Sequence, residues 1–230
     1  MSRPASKAET TSEKILDSAL QLFRQKGFDA ATMRDIAAKA DVATGAAYYY
    51  FPSKEALVLA FYERSRTEMQ PLIESALEGV RGLEGRLREL IRVKFDYFAP
   101  NRAVLRALLR NGADPAHPLS PFSPRTEAIR DADIVWFGRI LEDCGFTIPR
   151  DLAPHLPGVL WLFQMGVIFF WVTDDSPNQA RARRLLDRAA RAAAILVRLS
   201  ALPLMRPVRK TALELIEIVK SSPAGKEGSK

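Results

Sequence analysis

Residues 32–57 read TMRDIAAKADVATGAAYYYFPSKEAL, and this stretch decides the fold of the N-terminal part. Thr32 can cap a short helix, because its hydroxyl accepts a hydrogen bond from an exposed backbone N–H. Asp41 and Val42 mark a tight turn, after which a second short helix runs to about Tyr50. Two short helices joined in this way form a helix-turn-helix, a motif whose second helix lies in the major groove of DNA.

The apolar residues of this stretch are spaced so that they pack the two helices together, while the rest of the second helix faces outward. Small outward residues let the backbone approach base edges, and tyrosines can donate to phosphates. Lys54 places a cation beside the start of the next helix, where phosphate binds favourably. The predicted inward residues are Met33, Ile36, Ala37, Val42 and Ala47, and the outward ones are Thr44, Gly45, Ala46, Tyr48, Tyr49 and Tyr50.

The rest of the sequence also predicts helices, and no stretch alternates apolar and polar residues as a strand does. Thr10 and Glu13 match a capping box at the start of the first helix, which ends at Gly27. Ser53 can cap a fourth helix, and Pro71 marks a joint beyond it. Further helices are expected at about 72–79, 83–98, 101–111, 125–143, 154–172, 178–201 and 208–220, with a proline-rich loop at 114–124.

Residues 11–64 resemble the DNA-binding domain of the tetracycline-repressor (TetR) family of transcriptional regulators. The resemblance is most specific in the run Gly45-x-x-Tyr48-x-x-Phe51-x-Ser53-Lys54-Glu55-Ala56-Leu57, and it covers about a quarter of the chain. It implies an all-α protein with an N-terminal three-helix helix-turn-helix domain and a helical C-terminal domain that binds a ligand and dimerises. The expected parts are a disordered arm at 1–9, a DNA-binding domain at 10–64 with its helix-turn-helix at 32–51, an effector and dimerisation domain at 65–220, and a disordered tail at 221–230.

The resemblance also implies which residues contact a palindromic operator in double-stranded DNA. Ala43 stands where the family usually has a serine or threonine cap, so the cap of the recognition helix is lost or moves to Thr44. The contacts expected by position are Thr32, Arg34, Thr44, Gly45, Ala46, Tyr48, Tyr49 and Lys54.

The C-terminal helices are expected to pair across a twofold axis into a homodimer interface and to enclose a pocket for an apolar or aromatic small molecule. Arg92, Arg106, Arg110 or Arg139 could meet an acidic group on such a ligand, although a solvated face explains each of them equally well. The predicted dimer seam contains Leu185, Ala189, Ala192, Ala193 and Leu196. The predicted pocket residues are Phe95, Phe98, Trp136, Trp161, Phe163 and Phe169, for each of which ordinary core packing is the alternative.

Composition excludes several classes of protein. Cys144 is the only cysteine among 230 residues, so no disulfide can form within the chain. The net charge is +7, but residues 1–70 hold 10 basic and 9 acidic residues, so charge alone names no partner. Residues 156–172 lack charge and reach the minimum length of a membrane span, but we expect a fully buried helix there. No secretory signal is visible, which predicts a cytoplasmic protein.

Catalysis has little support in the sequence. It has two histidines, His117 and His155, and no metal-binding pair, nucleophile elbow or glycine-rich phosphate loop. We therefore expect no enzyme activity, no metal and no cofactor. The functional hypothesis is a DNA-binding regulator that acts as a ligand-released homodimeric repressor. The alternatives are an activator of the same family, a regulator without a ligand, and a small-molecule or membrane-surface binding protein that does not read DNA.

Overall fold

The computed structural model describes residues 7–109, 114–142 and 145–220, and within these ranges it contains helices and no strand. Short 3-10 turns precede several of the helices. The helices are α1 Lys7–Lys26, α2 Met33–Lys39, α3 Thr44–Tyr50, α4 Lys54–Leu77, α5 Leu83–Phe98, α6 Arg102–Leu109, α7 Glu127–Glu142, α8 Leu156–Thr173, α9 Ala180–Leu199 and α10 Arg206–Lys220. The all-α prediction is confirmed.

Two predicted helix boundaries are wrong. The helix α1 already includes Lys7, so Thr10 lies inside it and cannot be its cap. Pro71 does not form a joint, because α4 continues through it to Leu77. Proline lacks the N–H that an interior helical residue donates. Packing offsets this loss, since Met69, Ile73 and Leu77 are buried along one side of α4.

The helices α1, α2 and α3 and the first half of α4 share one hydrophobic core. Ile36, Ala37 and Ala47 are almost completely buried in it, as the spacing predicts. Leu57 and Phe61 of α4 are buried in the same core. The prediction of Gly27 as the end of α1 is confirmed by its left-handed φ of 87°.

The second half of α4 belongs to the C-terminal part, where it packs against α5 and α7. Helix α8 packs against α7, α6 and α9. The expectation that α8 is fully buried is wrong, because Leu162 and Phe169 are about half exposed. Among the described residues α8 is the one helix long and apolar enough to cross a membrane, which by itself is weak evidence of a span.

Several predicted features fall on residues that the structure does not describe. These are the arm up to residue 6, Arg110, Cys144 and the tail 221–230, and they lie outside the described ranges.

Candidate DNA interface and effector cavity

The start of α2 is fixed by a reciprocal cap. The Asp35 N–H donates to Thr32 Oγ1 at 3.2 Å, and Asp35 Oδ2 accepts from the Thr32 N–H at 3.0 Å. Lys26 Nζ donates to the same carboxylate at 2.5 Å. The Asp35 carboxylate accepts hydrogen bonds from Lys26 Nζ and from both the N–H and the hydroxyl of Thr32. These three bonds hold the pKa of Asp35 well below its usual range. The Lys26–Asp35 pair links α1 to α2. The Thr32 side chain caps α2, so its hydroxyl is already engaged in hydrogen bonds within the protein.

Ala43 is the N-cap residue of α3, and it provides no side-chain cap. The predicted cap is therefore lost, and it does not move to Thr44. Thr44 and Gly45 are exposed at the start of the helix, and a methyl group in place of the Gly45 hydrogen would meet no atom of another part of the protein within 4 Å. An exposed helix start without a large side chain allows a close approach to another surface.

The aromatic residues of α3 divide between solvent and core. Tyr49 is 83% exposed and Tyr48 is 51% exposed, while Tyr50 and Ala46 are partly buried. The ring of Tyr49 meets that of Tyr50 edge to face at 5.3 Å. Helix α3 contains no charged residue, so this surface offers hydroxyl, methyl and aromatic groups.

Lys54 makes internal contacts that the sequence did not reveal. Its Nζ donates to the backbone oxygens of Phe28 at 2.7 Å and Asp29 at 3.1 Å, and it lies 4.7 Å from the centre of the Phe28 ring. These contacts tie the α1–α2 loop to the start of α4, and they use two of the three ammonium donors. Arg34, by contrast, lies exposed on α2.

A cavity of about 160 Å³ lies in the C-terminal part, between α4, α5, α6, α7 and α8. Of the six predicted pocket residues, Phe98, Trp136 and Trp161 line it. Its other lining side chains include Tyr62, Arg66, Lys94, Leu105, Leu109, Arg130, Asp133 and Gln164.

The three remaining predicted pocket residues lie elsewhere. Phe95 is fully buried and stacks on Trp171, with ring centres 4.8 Å apart and an interplanar angle of 9°. Phe163 packs into the same neighbouring core, and Phe169 lies on the outer side of α8. These three residues are therefore not lining residues of this cavity. Helical spacing indicates which aromatic residues face the interior, but it does not show which of several cores each of them enters.

A buried polar cluster lies in the wall of the cavity. It consists of Lys94, Asp133 and Gln164, of which Lys94 is 3% and Gln164 1% exposed. Lys94 Nζ donates to Asp133 Oδ1 and, at 2.5 Å, to Gln164 Oε1. Gln164 Nε2 donates to Asp133 Oδ2 at 2.7 Å. Burial lowers the pKa of Lys94, and the charge and hydrogen bond of Asp133 oppose that shift.

The sequence contained a signal for this cluster that our sequence analysis did not use. Lys94 follows Leu87, Leu90 and Ile91 at the spacing of the inward face of α5. Gln164 stands alone as an amide within the apolar run of α8. A charged or amide residue at an inward position needs a partner, because burying an unpaired polar group is unfavourable.

Of the arginines proposed for an acidic ligand, the three that the structure describes, Arg92, Arg106 and Arg139, do not line the cavity. Arg92 bonds Glu89 and Asp96, and Arg106 bonds Asp175 at 3.0 Å. The Arg139 guanidinium lies 4.8 Å from the Trp136 ring. Two other arginines line the cavity, Arg66 and Arg130.

The two parts of the molecule are joined near the cavity. Arg24 Nη1 of α1 donates to Asn101 Oδ1, immediately before α6, at 2.9 Å. The next residue, Arg102, donates through Nη1 to the backbone oxygens of Trp171, Val172 and Asp174 at the end of α8. We call α1, α2, α3 and the first half of α4 the DNA-binding unit. Helix α6 buries Val104 and Leu108 in the core of this unit and also packs against α8.

The outer sides of α8 and α9 carry apolar residues at alternating spacings of three and four. This spacing is typical of helices that pack side by side. Of the predicted dimer residues, Leu185, Ala192 and Leu196 are exposed and Ala189 is partly exposed, whereas Ala193 packs inward against the core. The α8 positions are Val159, Leu162, Gly166, Phe169 and Thr173, and the α9 positions are Leu185, Ala189, Ala192, Leu196 and Leu199. We call these two sets the outer face.

Comparison with known proteins assigns the chain to one family. A family model described as bacterial regulatory proteins, tetR family, matches residues 15–61. A second, described as tetracyclin repressor-like, C-terminal domain, matches residues 86–212, which is more than half of the chain.

Individual relatives agree with the family models. The uncharacterised helix-turn-helix regulator YvdT of Bacillus subtilis is 42% identical over 67 residues, which are 29% of this chain and 34% of that protein. UidR of Escherichia coli is 23% identical over 115 residues, covering 50% of this chain and 59% of UidR. The chain thus spans between a fifth and three fifths of the length of the curated relatives it matches.

Solved structures share the fold. A TetR regulator from Nitrosomonas europaea has a TM-score of 0.62 at 22% identity, covering 81% of this chain and 99% of that one. The transcriptional regulator FadR of Bacillus subtilis, solved in complex with stearoyl-CoA, has a TM-score of 0.59 at 15% identity, and the match covers 79% of this chain and 97% of that one. The fold, its helix-turn-helix unit and both family models agree, and the chain belongs to the tetR family of bacterial regulatory proteins.

Proposed function

We propose that this protein is a homodimeric transcriptional regulator that binds a palindromic DNA operator and is released from it by a small molecule. The observation that carries the DNA-binding part is the exposed surface of α3. Tyr49 and Tyr48 point into solvent although they are large aromatic residues, and the helix start at Thr44 and Gly45 is open. Such a surface suits the major groove, where tyrosine hydroxyls meet phosphates and small residues allow contact with base edges.

The contact residues that we propose are those expected from the family, with different roles for two of them. Tyr48, Tyr49, Thr44, Gly45 and Ala46 would meet the groove. Arg34 would reach phosphate, since it lies exposed on α2. Lys54 would offer its third N–H to phosphate, while Thr32 would act mainly through the cap that orients α2.

The outer face supports a homodimer. Two copies of α8 and α9 packed across a twofold axis would form a four-helix interface in which each copy contributes the same residues. This pairing would cover Leu162 and Phe169, which are otherwise exposed to water. A twofold axis would also place two copies of α3 about 34 Å apart, which matches successive major grooves on one side of DNA.

The cavity supports control by a small molecule. Its wall includes Tyr62 of α4 and Leu105 of α6, and both helices also reach the DNA-binding unit. A ligand that binds better to one arrangement of these helices would shift the population toward it and change the spacing of the two α3 helices. A repressor released in this way is the form of regulation that we propose, acting in the cytoplasm and without catalysis.

The first experiment is a fluorescence-anisotropy titration of the purified protein on DNA upstream of its own gene. Scrambled competitor DNA and two salt concentrations separate specific binding from attraction to phosphates, because binding by counterion release weakens steeply with salt. Tight binding that resists the competitor supports the proposal. Equal affinity for the upstream DNA and the scrambled DNA, lost at the higher salt concentration, would contradict specific binding to this upstream DNA. Selection of sites from random DNA would then test for an operator elsewhere.

A further inference from the structure

The buried cluster of Lys94, Asp133 and Gln164 raises the question of what the cavity holds. An ion pair in an interior contributes little net stability, because removing two charges from water costs about as much as their attraction returns. Apart from Ser65, Arg66, Thr126 and Arg130, these are the polar side chains of a wall that is mostly apolar and includes Phe98 and Trp161. We infer that the cavity selects small aromatic molecules that are uncharged and carry one hydrogen-bonding group, such as a hydroxyl, which contacts this cluster.

The charge of the cluster argues for an uncharged head group. Lys94 and Asp133 neutralise each other within one hydrogen bond. A carboxylate placed beside them would be attracted by Lys94 and repelled by Asp133, and an ammonium group would meet the reverse, so neither ion gains a net counter-charge from the pair. Each ion would therefore lose hydration without compensation. A ligand without charge avoids this cost.

The hydrogen-bonding capacity of the cluster argues for a head group that both donates and accepts. The contacts described above use two of three ammonium N–H groups of Lys94 and one of two amide N–H groups of Gln164. The carboxylate of Asp133 has further lone pairs, and its side chain is 25% exposed, so a ligand can reach it. A hydroxyl can donate to Asp133 and accept from Lys94 or Gln164 at the same time.

The arginines of the wall do not change this conclusion, because each already has a carboxylate partner in the protein. Arg66 Nε donates to Glu63 Oε2 at 3.1 Å. Arg130 Nη2 lies 3.7 Å from Glu127 Oε1, and Nη1 donates to the backbone oxygens of Pro121 and Ser123. The charge of each guanidinium is therefore partly offset before a ligand binds.

The size and lining of the cavity limit the apolar part of the ligand. A volume of about 160 Å³ is close to that of an engineered cavity of about 150 Å³ that binds benzene. Tyr62, Phe98, Trp136 and Trp161 supply aromatic surfaces around it. A single ring with one or two small substituents therefore fits without rearrangement of the helices.

Four probes that differ in one substituent test the inference. They are p-cresol, p-xylene, p-toluate and 4-methylbenzylammonium, of which the first two are uncharged near pH 7. Binding is measured by calorimetry and by quenching of tryptophan fluorescence, since Trp136 and Trp161 line the cavity. We expect p-cresol to bind at least about tenfold more tightly than either ion and severalfold more tightly than p-xylene. Tighter binding of p-toluate, equal binding of p-xylene, or no binding of any probe would overturn the inference.

Two substitutions make the test specific to the cluster. Asp133→Asn removes the negative charge with little change of shape, so the affinity for p-toluate should rise relative to that for p-cresol. Lys94→Met removes the positive charge, so the affinity for 4-methylbenzylammonium should rise relative to that for p-cresol. The matched control is Arg66→Gln, which changes a lining cation outside the cluster and should leave the order unchanged. Circular dichroism checks folding, and if Lys94→Met does not fold, Asp133→Asn alone still decides.

The inference rests on the proposed function only in treating the bound molecule as the effector. Operator anisotropy with saturating p-cresol separates the two. If the probes bind in the expected order but the operator stays bound, the ligand chemistry stands and the release mechanism fails. If p-toluate binds more tightly than p-cresol and releases the operator, the mechanism stands and the inferred ligand chemistry is wrong.

Discussion

Arg24 and Asn101 form a hydrogen bond of 2.9 Å between the DNA-binding unit and the segment that leads into α6, beside the buried contacts of Val104 and Leu108. Arg24 lies on α1, and α1 shares one hydrophobic core with the helix-turn-helix. Asn101 is buried just before α6. Arg102, the next residue, holds the end of α8. Movement of α6 around a ligand would therefore reach α1 directly.

The first prediction concerns this connection. Arg24→Ala should reduce the ratio of operator Kd values with and without ligand by about twofold to fivefold, because it removes one contact between the two parts. Gln25→Ala, at the neighbouring exposed position, is the control. Anisotropy titrations with and without a ligand measure both. An unchanged ratio in the Arg24 variant would show that the coupling passes elsewhere, with α4 as the next element to test.

The second prediction concerns the recognition surface. Tyr49→Ala should raise the operator Kd by about tenfold or more, because it removes a large side chain from the proposed groove contact. The melting temperature should hardly change, since Tyr49 is 83% exposed. Leu72→Ala, a half-exposed position on α4 away from α3, serves as the control. Wild-type operator affinity in the Tyr49 variant would remove this residue from the interface.

The third prediction concerns the missing cap of α3. Ala43→Ser should raise the free energy of unfolding by about 0.5–1 kcal/mol, because the hydroxyl can accept an N–H that no side chain now caps. The extended backbone of Ala43, with φ −63° and ψ 144°, already suits a capping residue. Ala38→Ser, inside α2, should instead cost about 0.5 kcal/mol. Urea denaturation of both variants checks the opposite signs.

The fourth prediction concerns the outer face. Leu196→Glu should raise the dimer dissociation constant by about a hundredfold, since it buries two carboxylates in the proposed interface. Operator affinity should fall with it. Val135→Glu, on α7 and also more than half exposed, should leave the dimer intact. Analytical ultracentrifugation distinguishes the two, and an intact dimer in both variants would place the interface on another surface.

The fifth prediction is a pH dependence. Burial lowers the pKa of Lys94 in the folded state, so between that value and the unfolded value of about 10.4 the unfolded chain binds more protons. The free energy of unfolding should therefore rise with pH across this interval, and the rise should be smaller in Lys94→Met. Urea midpoints of both proteins between neutral pH and about pH 10 test it. Parallel curves would contradict the prediction.

The titration of Tyr62 limits the pH range over which the effect of Lys94 can be measured. Burial raises the pKa of Tyr62 to about 12, so above about pH 10 the unfolded chain loses this proton first. Stability then falls as pH rises, which opposes the effect of Lys94. Both proteins contain Tyr62, so the difference between their curves isolates Lys94.

Local chemistry explains why the helix-turn-helix could be predicted from sequence. The cap at Thr32, the turn at Asp41 and the inward positions of α2 and α3 all depend on residues within a few positions of one another. The structure confirms each of these. The role of Lys54 could not be predicted, because its partners Phe28 and Asp29 lie some 25 residues away.

The C-terminal part depends on contacts that spacing does not encode. Phe95 and Phe98 are one helical turn apart, yet one stacks in a closed core and the other lines the cavity. The cluster of Lys94, Asp133 and Gln164 joins three helices through residues that are 31 to 70 positions apart. The continuation of α4 through Pro71 likewise depends on tertiary packing, which overrides the local tendency of proline to end a helix.

The unbroken helix α4 has a consequence for recombining parts of this family. Lys54 at its start lies beside the helix-turn-helix, while Ile73 in its last turns lines the cavity. A chimera joined near residue 64 splices one helix in its middle. One inserted residue would turn the recognition unit by about 100° and shift it by about 1.5 Å relative to the cavity. Such exchanges must therefore keep helical phase as well as reading frame.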